Sequence, residues 1–342
     1  MIVFAKECAG AVMVEEIIQV QDLTRIFRVR DKAAAKSGWF SKPATKELTA
    51  VGNLNFSIKT GEKVAFIGPN GAGKSTTLKM LCGLLAPSTG TASVCGLVPW
   101  VATQELAAKI GLVFGQRSHL WPNLTVSDSF ALLGKIYDID DGEAKAQTDK
   151  LIEVFGLTKF FGQYARTLSL GQRMRCDIAA ALLHQPSVLF LDEPTIGLDV
   201  TAKALLRDHL NRLVQEFETT VLLTSHDTDD IEKICDRVIL IDHGQKLLDT
   251  TLPALHRDYT HYKTLTLATE EACPLFDHPH VVVEEQGDHR LVLKVDVKQV
   301  RLESVVAQCL ECFKLHDIAI EDLPLEEIIK TIYRQMKLAR GA

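Results

Sequence analysis

A glycine-rich stretch, IGPNGAGKST at residues 67–76, combines residue types that can hold a phosphate group. Gly68, Gly73, Lys74 and Ser75 follow the pattern G-x-x-x-x-G-K-[ST]. Glycines leave room for a bulky anion and let successive backbone N–H groups converge on it. The lysine can then reach the β- and γ-phosphates of a nucleotide, and the serine hydroxyl can bind Mg²⁺. The predicted nucleotide-binding residues are Gly68, Pro69, Asn70, Gly71, Ala72, Gly73, Lys74, Ser75 and Thr76.

Two acidic residues follow a second apolar run, in SVLFLDEPT at residues 187–195. Asp192 and Glu193 stand at the predicted C-terminal end of a buried strand, the edge at which parallel α/β proteins bind ligands. Asp192 is placed to bind the Mg²⁺ held by Ser75. Glu193 is placed to polarise a water molecule for in-line attack on the γ-phosphorus. Together with the phosphate loop, this pair predicts nucleotide hydrolysis.

Two further segments carry groups that suit phosphate. LSLGQRMR at residues 168–175 places Ser169 and Gly171 at a predicted helix start, where a hydroxyl and the helix dipole favour an anion, but it contains no lysine. One full phosphate loop and one additional helix-end site indicate a site completed across two subunits. TSHD places His226 at a predicted strand end, where its imidazole can contact the γ-phosphate.

Between about Glu15 and Asp249, short apolar runs alternate with helical patterns, which predicts an α/β core with a mostly parallel sheet. IIQVQDLTRIF and LTAVGNLNFSIKTGE predict an antiparallel β addition with Gly61 at a turn. The predicted strands of the core are 63–68, 110–114, 187–192, 219–225 and 237–244, and its predicted helices include 75–84, 144–155, 171–184, 201–218 and 228–234.

After Asp249 the pattern changes to that of a small α+β domain. YKTLTLAT, RLVLKVDV and LHDIAIEDL predict strands, whereas LESVVAQCLECFK and EEIIKTIYRQMKLA predict helices. We therefore expect an N-terminal extension at 1–13, a nucleotide-binding domain at 14–250 and an accessory domain at 251–342. The nucleotide-binding domain carries an insertion at 28–47, rich in basic residues with an adjacent Trp-Phe pair, which is either a solvated loop or a contact surface for a membrane protein or lipid headgroups.

Composition excludes several classes of protein. The 46% apolar and 24% charged fractions are ordinary for a globular protein, and the net charge of −6 gives no basic field for nucleic acid. No apolar run approaches the roughly 18 residues of a transmembrane helix, so a membrane role would need another chain. The eight cysteines are scattered, which is typical of a reduced, cytosolic protein, and Cys309 and Cys312 fit the core side of a helix better than a metal or redox site.

Over residues 15–250 the sequence resembles the nucleotide-binding subunit of an ABC transporter. GPNGAGKST is similar to the Walker A loop, VLFLDE to Walker B, and Ser225-His226 to the H-loop. By the same resemblance Gln116 fits the Q-loop and Phe27 the aromatic residue that stacks on adenine. LSLGQ resembles the ABC signature, with Leu170 in place of a common glycine, and IGLD at 196–199 resembles the D-loop. The signature residues are Leu168, Ser169, Leu170, Gly171 and Gln172, and the D-loop residues are Gly197, Leu198 and Asp199.

The resemblance implies a P-loop NTPase fold: an ABC ATPase core with an antiparallel β subdomain and a helical subdomain, to which the small α+β C-terminal domain is added. It implies ATP and Mg²⁺ as ligands, with Glu193, His226 and Gln116 in catalysis and Ser75, Gln116 and Asp192 at the metal. The implied assembly is a homodimer, or a pair with a close paralogue, around two ATP molecules. It would drive an integral-membrane permease on a separate chain from the cytoplasmic face of the cell membrane.

The wording of the motifs is most similar to bacterial exporter ATPases of the drug-resistance and sodium-export type. An importer subunit carries the same core motifs and stays open as an alternative. A soluble single-cassette ABC ATPase with a mechanochemical or regulatory role is a second alternative. A P-loop kinase or GTPase is a third, although LSLGQ and His226 have no role there. The cargo cannot be read from this chain.

Overall fold

The computed structural model describes residues 16–30, 45–115, 118–217, 219–259, 262–270 and 276–340. The chain divides into two compact units between Asp249 and Thr250, one residue from the predicted domain boundary. The predicted N-terminal extension, most of the predicted insertion (31–44) and Gln116 lie outside the described residues.

The first unit contains strands and helices in a mixed order. Its strands are β1 (Glu16–Arg30), β2 (Thr45–Lys59), β3 (Lys63–Ile67), β4 (Thr89–Val94), β5 (Ile110–Phe114), β6 (Val188–Asp192), β7 (Thr220–Thr224), β8 (Arg237–Asp242) and β9 (Gln245–Thr251). Its helices are α1 (Lys74–Leu81), α2 (Thr103–Ala107), α3 (Val126–Ile136), α4 (Asp141–Phe155), α5 (Leu170–Ala181), α6 (Val200–Phe217) and α7 (Thr228–Ile234).

The central sheet of this unit has six strands in the order β5-β6-β7-β3-β8-β9. β3 pairs in parallel with β7 and β8, and β6 pairs in parallel with β5 and β7. The sequences KVAFI, VLFLD, TVLLT and RVILID are almost wholly buried, as expected for strands covered on both faces. Because these strands run in the same direction, the segments that follow β3, β5, β6 and β7 emerge at one edge of the sheet.

A second, three-stranded sheet has the order β2-β1-β4, with β1 antiparallel to both neighbours. The turn that leads from β2 towards β3 contains Gly61 at a φ of +78°. Side chains of this sheet share one apolar core with α1 and the central sheet, including Ile18, Leu54, Phe66, Leu78 and Ile239. The antiparallel addition and the α/β core that the sequence predicts are therefore both present, and the predicted fold class is confirmed.

Helix boundaries differ from prediction where a local cap decides them. The helix predicted at 144–155 begins earlier, at Asp141, because the carboxylate of Asp140 accepts a hydrogen bond from the N–H of Gly142. The helices predicted to reach residues 84 and 184 end at Leu81 and Ala181 instead. In each case the chain then turns through a positive φ, at Gly83 and at Gln185.

The second unit carries an antiparallel sheet in the order β11-β12-β10-β13. Its elements are α8 (Leu252–Tyr259), β10 (Tyr262–Thr269), β11 (Val281–Gln286), β12 (Arg290–Asp296), α9 (Leu302–Cys312), β13 (Leu315–Asp322) and α10 (Leu325–Arg340). Val305 and Cys309 of α9 pack with Leu265 and Leu293 of the sheet in one apolar core. Burial raises the pKa of Cys309 to about 11, so its thiol stays protonated at neutral pH.

In the part of the chain that the structure describes, no helix combines the length and the apolar character needed to span a bilayer.

Candidate nucleotide-binding and hydrolysis site

The phosphate loop connects β3 to α1 and passes close to other backbone segments. Gly73 has a φ of +103°, which glycine adopts without steric cost. A Cβ atom at Gly73 would lie 2.5 Å from the carbonyl oxygen of Ala50, and one at Gly68 would lie 2.5 Å from that of Ile241. Both positions therefore require glycine. The loop leads directly into α1, whose N-terminus supplies the positive end of a helix dipole.

Lys74 is the first residue of α1 and is only 6% exposed. Its Nζ donates hydrogen bonds to the carbonyl oxygens of Gly68 (2.6 Å) and Pro69 (3.3 Å) and lies 3.3 Å from Nε2 of His226. Burial lowers the pKa of Lys74, while the charges of Glu193 and Asp192 partly oppose that shift. A partly desolvated cation at a helix N-terminus is an environment that favours an anionic ligand.

The two acidic residues follow each other at the end of β6 but have different partners. Oδ1 of Asp192 accepts a hydrogen bond from Oγ1 of Thr224 at 2.6 Å. Glu193 has a left-handed backbone with a φ of +53°, and its N–H donates to the carbonyl oxygen of Thr224 at 3.0 Å. The carboxylate oxygen Oε1 of Glu193 lies 2.9 Å from Nε2 of His226. The strand end therefore holds one carboxylate on β7 and directs the other to the imidazole.

A cavity of about 540 Å³ lies beside these residues. Its volume falls within the range typical of small-molecule sites. Its lining residues are Asn70, Ser75, Lys79, Leu84, Phe114, Gly115, Asp192, Glu193 and Ile196. The structure thus brings the phosphate loop and the strand-end acids to one cavity. Gln116 follows directly after the lining residue Gly115, but it lies outside the described residues.

The chemistry of the cavity fits a magnesium ion. The Ser75 hydroxyl and the Asp192 carboxylate are both hard oxygen ligands and line the same cavity. Magnesium in nucleotide sites commonly uses only one or two protein carboxylates and takes its other ligands from phosphate and water. The described residues contain no cluster of three or more His, Cys, Asp or Glu side chains suited to hold a metal by themselves.

The predicted signature residues lie elsewhere. Ser169 caps α5: its Oγ accepts a hydrogen bond from the N–H of Gln172 at 3.3 Å, and the Gln172 side chain accepts one from the N–H of Ser169 at 2.9 Å. Ser169 is exposed, and none of the residues 168–172 is among those lining the cavity. Leu170, which replaces the usual glycine, does not cover Ser169. Its side chain lies next to Gly197, where a Cβ atom would come within 3.2 Å of Cδ2 of Leu170.

The predicted D-loop residues form the entry to α6. Gly197 has a φ of +76°, Leu198 is buried, and Asp199 is exposed. Oδ1 of Asp199 accepts a hydrogen bond from the N–H of Ala202 at 2.8 Å, which satisfies one of the free amides at the start of the helix. Of these three residues none lines the cavity, although the preceding residue Ile196 does.

The predicted adenine-stacking residue, Phe27, lies on β1 opposite Leu48 of β2 and is half-buried. The guanidinium carbon of Arg25 lies 4.8 Å from the centre of its ring, a cation–π distance. Phe27 is not among the residues that line the cavity. The structure therefore places Phe27 on the antiparallel sheet, whose strand β2 also passes close to the phosphate loop at Ala50 and Gly73.

Sequence reasoning missed Thr224, which bonds to both residues of the acidic pair. The signal that could have indicated Thr224 is its position. It is a hydroxyl-bearing residue at the C-terminal end of the adjacent strand, two positions before His226. Sequence reasoning also missed Asp230, a fully buried acid whose partners come from distant segments.

Comparisons with known proteins agree with this geometry. The family described as ABC transporter matches residues 51–196. The linearmycin resistance ATP-binding protein LnrL of Bacillus subtilis (strain 168) is 34% identical over 289 residues, which cover 84% of this chain and 92% of LnrL. The chain belongs to the ABC transporter family.

One further relative and one solved structure are also similar to this ABC protein. The Nod factor export ATP-binding protein I of Ralstonia nicotianae (strain ATCC BAA-1114 / GMI1000) is 35% identical over 201 residues, which cover 59% of this chain and 62% of that protein. Among solved structures, the dimeric post-hydrolysis state of the ATP-binding cassette MJ0796 bound to ADP and Pi matches with a TM-score of 0.57 and 27% identity, covering 69% of this chain and 98% of that one. The chain is an ABC-family ATPase, and its nucleotide is ATP.

Proposed function

We propose that this ABC ATPase works as a dimer around two ATP molecules and drives a separate membrane permease in the direction of export. The observation that carries the proposal is the separation of two groups of residues within one chain. The phosphate loop and the strand-end acids line one cavity, whereas Ser169 is exposed and none of residues 168–172 lines that cavity. A second copy, placed head to tail, would bring its signature segment to the first copy's ATP.

Residues that line the cavity, together with Lys74 and His226, which contact each other near Glu193, divide the hydrolytic work. The Lys74 ammonium binds the β- and γ-phosphates, and the N-terminus of α1 adds its dipole. Ser75 and Asp192 would hold Mg²⁺, which would neutralise charge on the phosphates. Glu193 accepts a proton from the attacking water as general base. His226 lies between Nζ of Lys74 (3.3 Å) and Oε1 of Glu193 (2.9 Å), so it orients that carboxylate beside the γ-phosphate position.

The surface next to the cavity supports the dimer. Ile196 lines the cavity and is 44% exposed, and Val200, at the start of α6, is 84% exposed. These apolar side chains flank residues 197–199, which resemble the D-loop. A partner subunit would remove them from water, at a gain of roughly 25 cal/mol per Å² of apolar surface.

The permease and the direction rest on the relatives. LnrL is named for resistance and the Nod factor protein for export. Because no helix in the described part of the chain could span a bilayer, the membrane path would come from another chain, and this subunit would act at the cytoplasmic face. The test is to purify the full chain from detergent-solubilised membranes. We expect a polytopic membrane protein to copurify with it, and we expect vesicles that contain both proteins to export cargo. If vesicles containing both accumulate cargo only on the side that holds ATP, the direction proposed here is wrong.

The dimer is tested by mixing two inactive variants. Ser169→Arg puts a bulky cation where the hydroxyl would meet the γ-phosphate of the partner's ATP, and Lys74→Ala removes the phosphate-binding ammonium. Each variant alone should lack ATPase activity. A mixed dimer contains one site with an intact Lys74 and an intact Ser169, so activity should reappear on mixing. As a control, Ser169→Arg monomers should bind ATP like the wild type in calorimetry.

The outcome of mixing is read together with dimerisation. ATP-dependent cross-linking of the mixture reports the dimer even if a single intact site turns over slowly. If both variants are well folded and neither activity nor ATP-dependent dimers appear in the mixture, the head-to-tail dimer is not the working state of this chain.

A further inference from the structure

A buried polar cluster is formed by Thr195, Arg207, Ser225 and Asp230, which we name the Asp230 cluster. The Asp230 side chain is fully buried at the third position of α7. Its Oδ2 accepts hydrogen bonds from Oγ1 of Thr195 and from Oγ of Ser225, the latter at 2.8 Å. Its Oδ1 accepts one from Nε of Arg207 at 2.6 Å. One carboxylate thus joins three separate segments of the chain.

Two of these segments carry the reacting pair. Thr195 follows Glu193 by two residues, and Ser225 directly precedes His226. Glu193 and His226 are themselves in contact, at 2.9 Å between Oε1 and Nε2. Because both hydroxyls donate to the same oxygen of Asp230, this carboxylate fixes the separation of the two loops that carry Glu193 and His226.

We propose that Asp230 is a positioning residue for hydrolysis, which sets the distance between Glu193 and His226 without touching the nucleotide. The proposal rests on the roles proposed above for these two residues. A displacement of about 1 Å between reacting groups can cost roughly a hundredfold in rate. The expected signature is therefore a loss in kcat with little change in ATP binding, since Lys74 and the phosphate loop do not contact Asp230.

The charges around the cluster explain why the carboxylate can act as a rigid anchor. The Arg207 side chain is 7% exposed and also contacts Oδ1 of Asp227 at 3.1 Å and Oδ2 of Asp229 at 3.4 Å. Asp230 thus remains paired with a cation although it is removed from water, which a buried charge requires. Oγ of Ser225 accepts a hydrogen bond from the N–H of Asp227 at 3.0 Å, so the start of α7 is held in the same network.

The primary test is Asp230→Asn, which keeps the shape of the side chain but replaces one accepting oxygen with an NH₂ group. We expect kcat for ATP to fall about tenfold to a hundredfold, while KM for ATP changes by less than about twofold. Asp229→Asn is the matched control. It lies on the same helix and also contacts Arg207, but its side chain is 61% exposed and touches neither hydroxyl. Its kcat should equal that of the wild type.

A double-mutant cycle separates positioning from a general structural effect. In a His226→Ala background the pair that Asp230 positions no longer exists, so Asp230→Asn should lower kcat by less than about twofold further. If Asp230→Asn lowers kcat by the same factor in both backgrounds, Asp230 acts independently of the pair and the proposal is overturned.

Two milder variants keep the test decisive if Asp230→Asn does not fold. Thr195→Val and Ser225→Ala each remove one hydroxyl donor and leave Asp230 paired with Arg207. Each should lower kcat severalfold with an unchanged KM, and wild-type kcat in both would overturn the proposal.

Glu193→Gln distinguishes a failure of the positioning role of Asp230 from a failure of the base role of Glu193. If that variant hydrolyses ATP at the wild-type rate, the proposed role of Glu193 fails. If it is inactive while the cluster variants are fully active, only the positioning role fails.

Discussion

Two helix starts in this chain are built from similar residues and differ in how their free amides are used. α1 begins at Lys74 after a glycine, and the structure shows no side-chain cap on it. α5 begins at Leu170 after Ser169, and the capping box of Ser169 and Gln172 satisfies amides at its start. The first helix start is therefore open to an anion and adds a lysine. The second is internally satisfied and offers mainly the hydroxyl hydrogen of Ser169 to a partner.

This difference between the helix starts predicts two different roles in the ATPase cycle, one in nucleotide binding and hydrolysis and one in completing the partner's site. The α1 end and the acids beside it have the groups needed for affinity and for the chemical step. The α5 end carries no lysine to match Lys74 and so should add less affinity, but in the proposed dimer its hydroxyl would stabilise charge on the partner's nucleotide. Variants at the first end should therefore change the ATP affinity of a monomer, whereas variants at the second should change ATP turnover only in the assembled enzyme.

The largest effect is expected from Glu193→Gln. Glutamine keeps the size of the side chain but cannot accept the proton of water, so hydrolysis should slow by about 10²- to 10⁴-fold, the usual contribution of a general base. ATP should still bind, and the variant should accumulate as an ATP-bound dimer on gel filtration. Phosphate release measures the rate, and turnover at the wild-type rate would remove Glu193 from the chemical step.

Lys74→Ala should act on affinity. A hydrogen bond to a charged group contributes about 1.5–3 kcal/mol, and Lys74 would reach two phosphates, so ATP affinity should fall roughly a hundredfold or more. Calorimetry on the monomer measures this without any contribution from hydrolysis. An unchanged dissociation constant would contradict the phosphate-binding role of the loop.

Ser169→Ala sharpens the comparison because the chain contains a matched control. Thr125 and Asp128 form the same capping box at the start of α3. Ser169→Ala and Thr125→Ala should each lower the free energy of unfolding by about 1 kcal/mol. Only Ser169→Ala should lower kcat, by roughly tenfold for a lost hydrogen bond to a charged phosphate. Equal ATPase rates in the two variants would show that the serine serves only as a helix cap.

Phe27→Ala should have a smaller effect on affinity. Stacking of one base on an aromatic ring contributes about 1–3 kcal/mol. Because Arg25 already contacts the Phe27 ring, we expect a loss of binding free energy at the lower end of this range. The dissociation constant for ATP should rise about five- to tenfold. Pyrimidine triphosphates, with less surface to stack, should lose less. If ATP and CTP affinities are both unchanged, the base does not stack on Phe27.

The smallest effect is a pH dependence of a few-fold. Burial lowers the pKa of Lys74 in the free protein, and bound phosphate would raise it again. The ammonium's contribution to binding is then complete below the free-state pKa and lost as pH rises through the bound-state pKa. ATP affinity should therefore decline at alkaline pH in the wild type and stay level over the same range in Lys74→Ala. A parallel decline in both would assign the dependence to another group.

Local patterns made much of the fold predictable from sequence. The buried strands β3, β5, β6, β7 and β8 are short apolar runs, and the phosphate loop and acidic pair are contiguous motifs. β4, with the sequence TGTASV, was missed because its small polar residues show no alternation and half of them are exposed. β11 was missed because VVVEEQ is largely exposed and pairs with β12 alone.

Contacts between distant segments were beyond sequence reasoning. Asp230 is an unremarkable acid in a helix when read locally, yet its partners lie 35, 23 and 5 residues away. The difference in capping between the starts of α1 and α5 was not predicted either, since a capping serine and a phosphate-binding serine look alike in a sequence. The role assigned to Gln116 remains a prediction, since this residue lies outside the described part of the chain.

With the base role proposed for Glu193, the left-handed backbone of this residue sets stability and catalysis against each other at a single position. A non-glycine residue held at a φ of +53° costs on the order of 1 kcal/mol or more, and glycine or asparagine would relieve much of that cost. Neither can act as a base. Selection for a more heat-resistant fold alone would thus favour loss of the carboxylate at residue 193, and only selection for turnover would retain it. Engineering that ranks substitutions in this ATPase by folding energy would propose an inactive enzyme at this position.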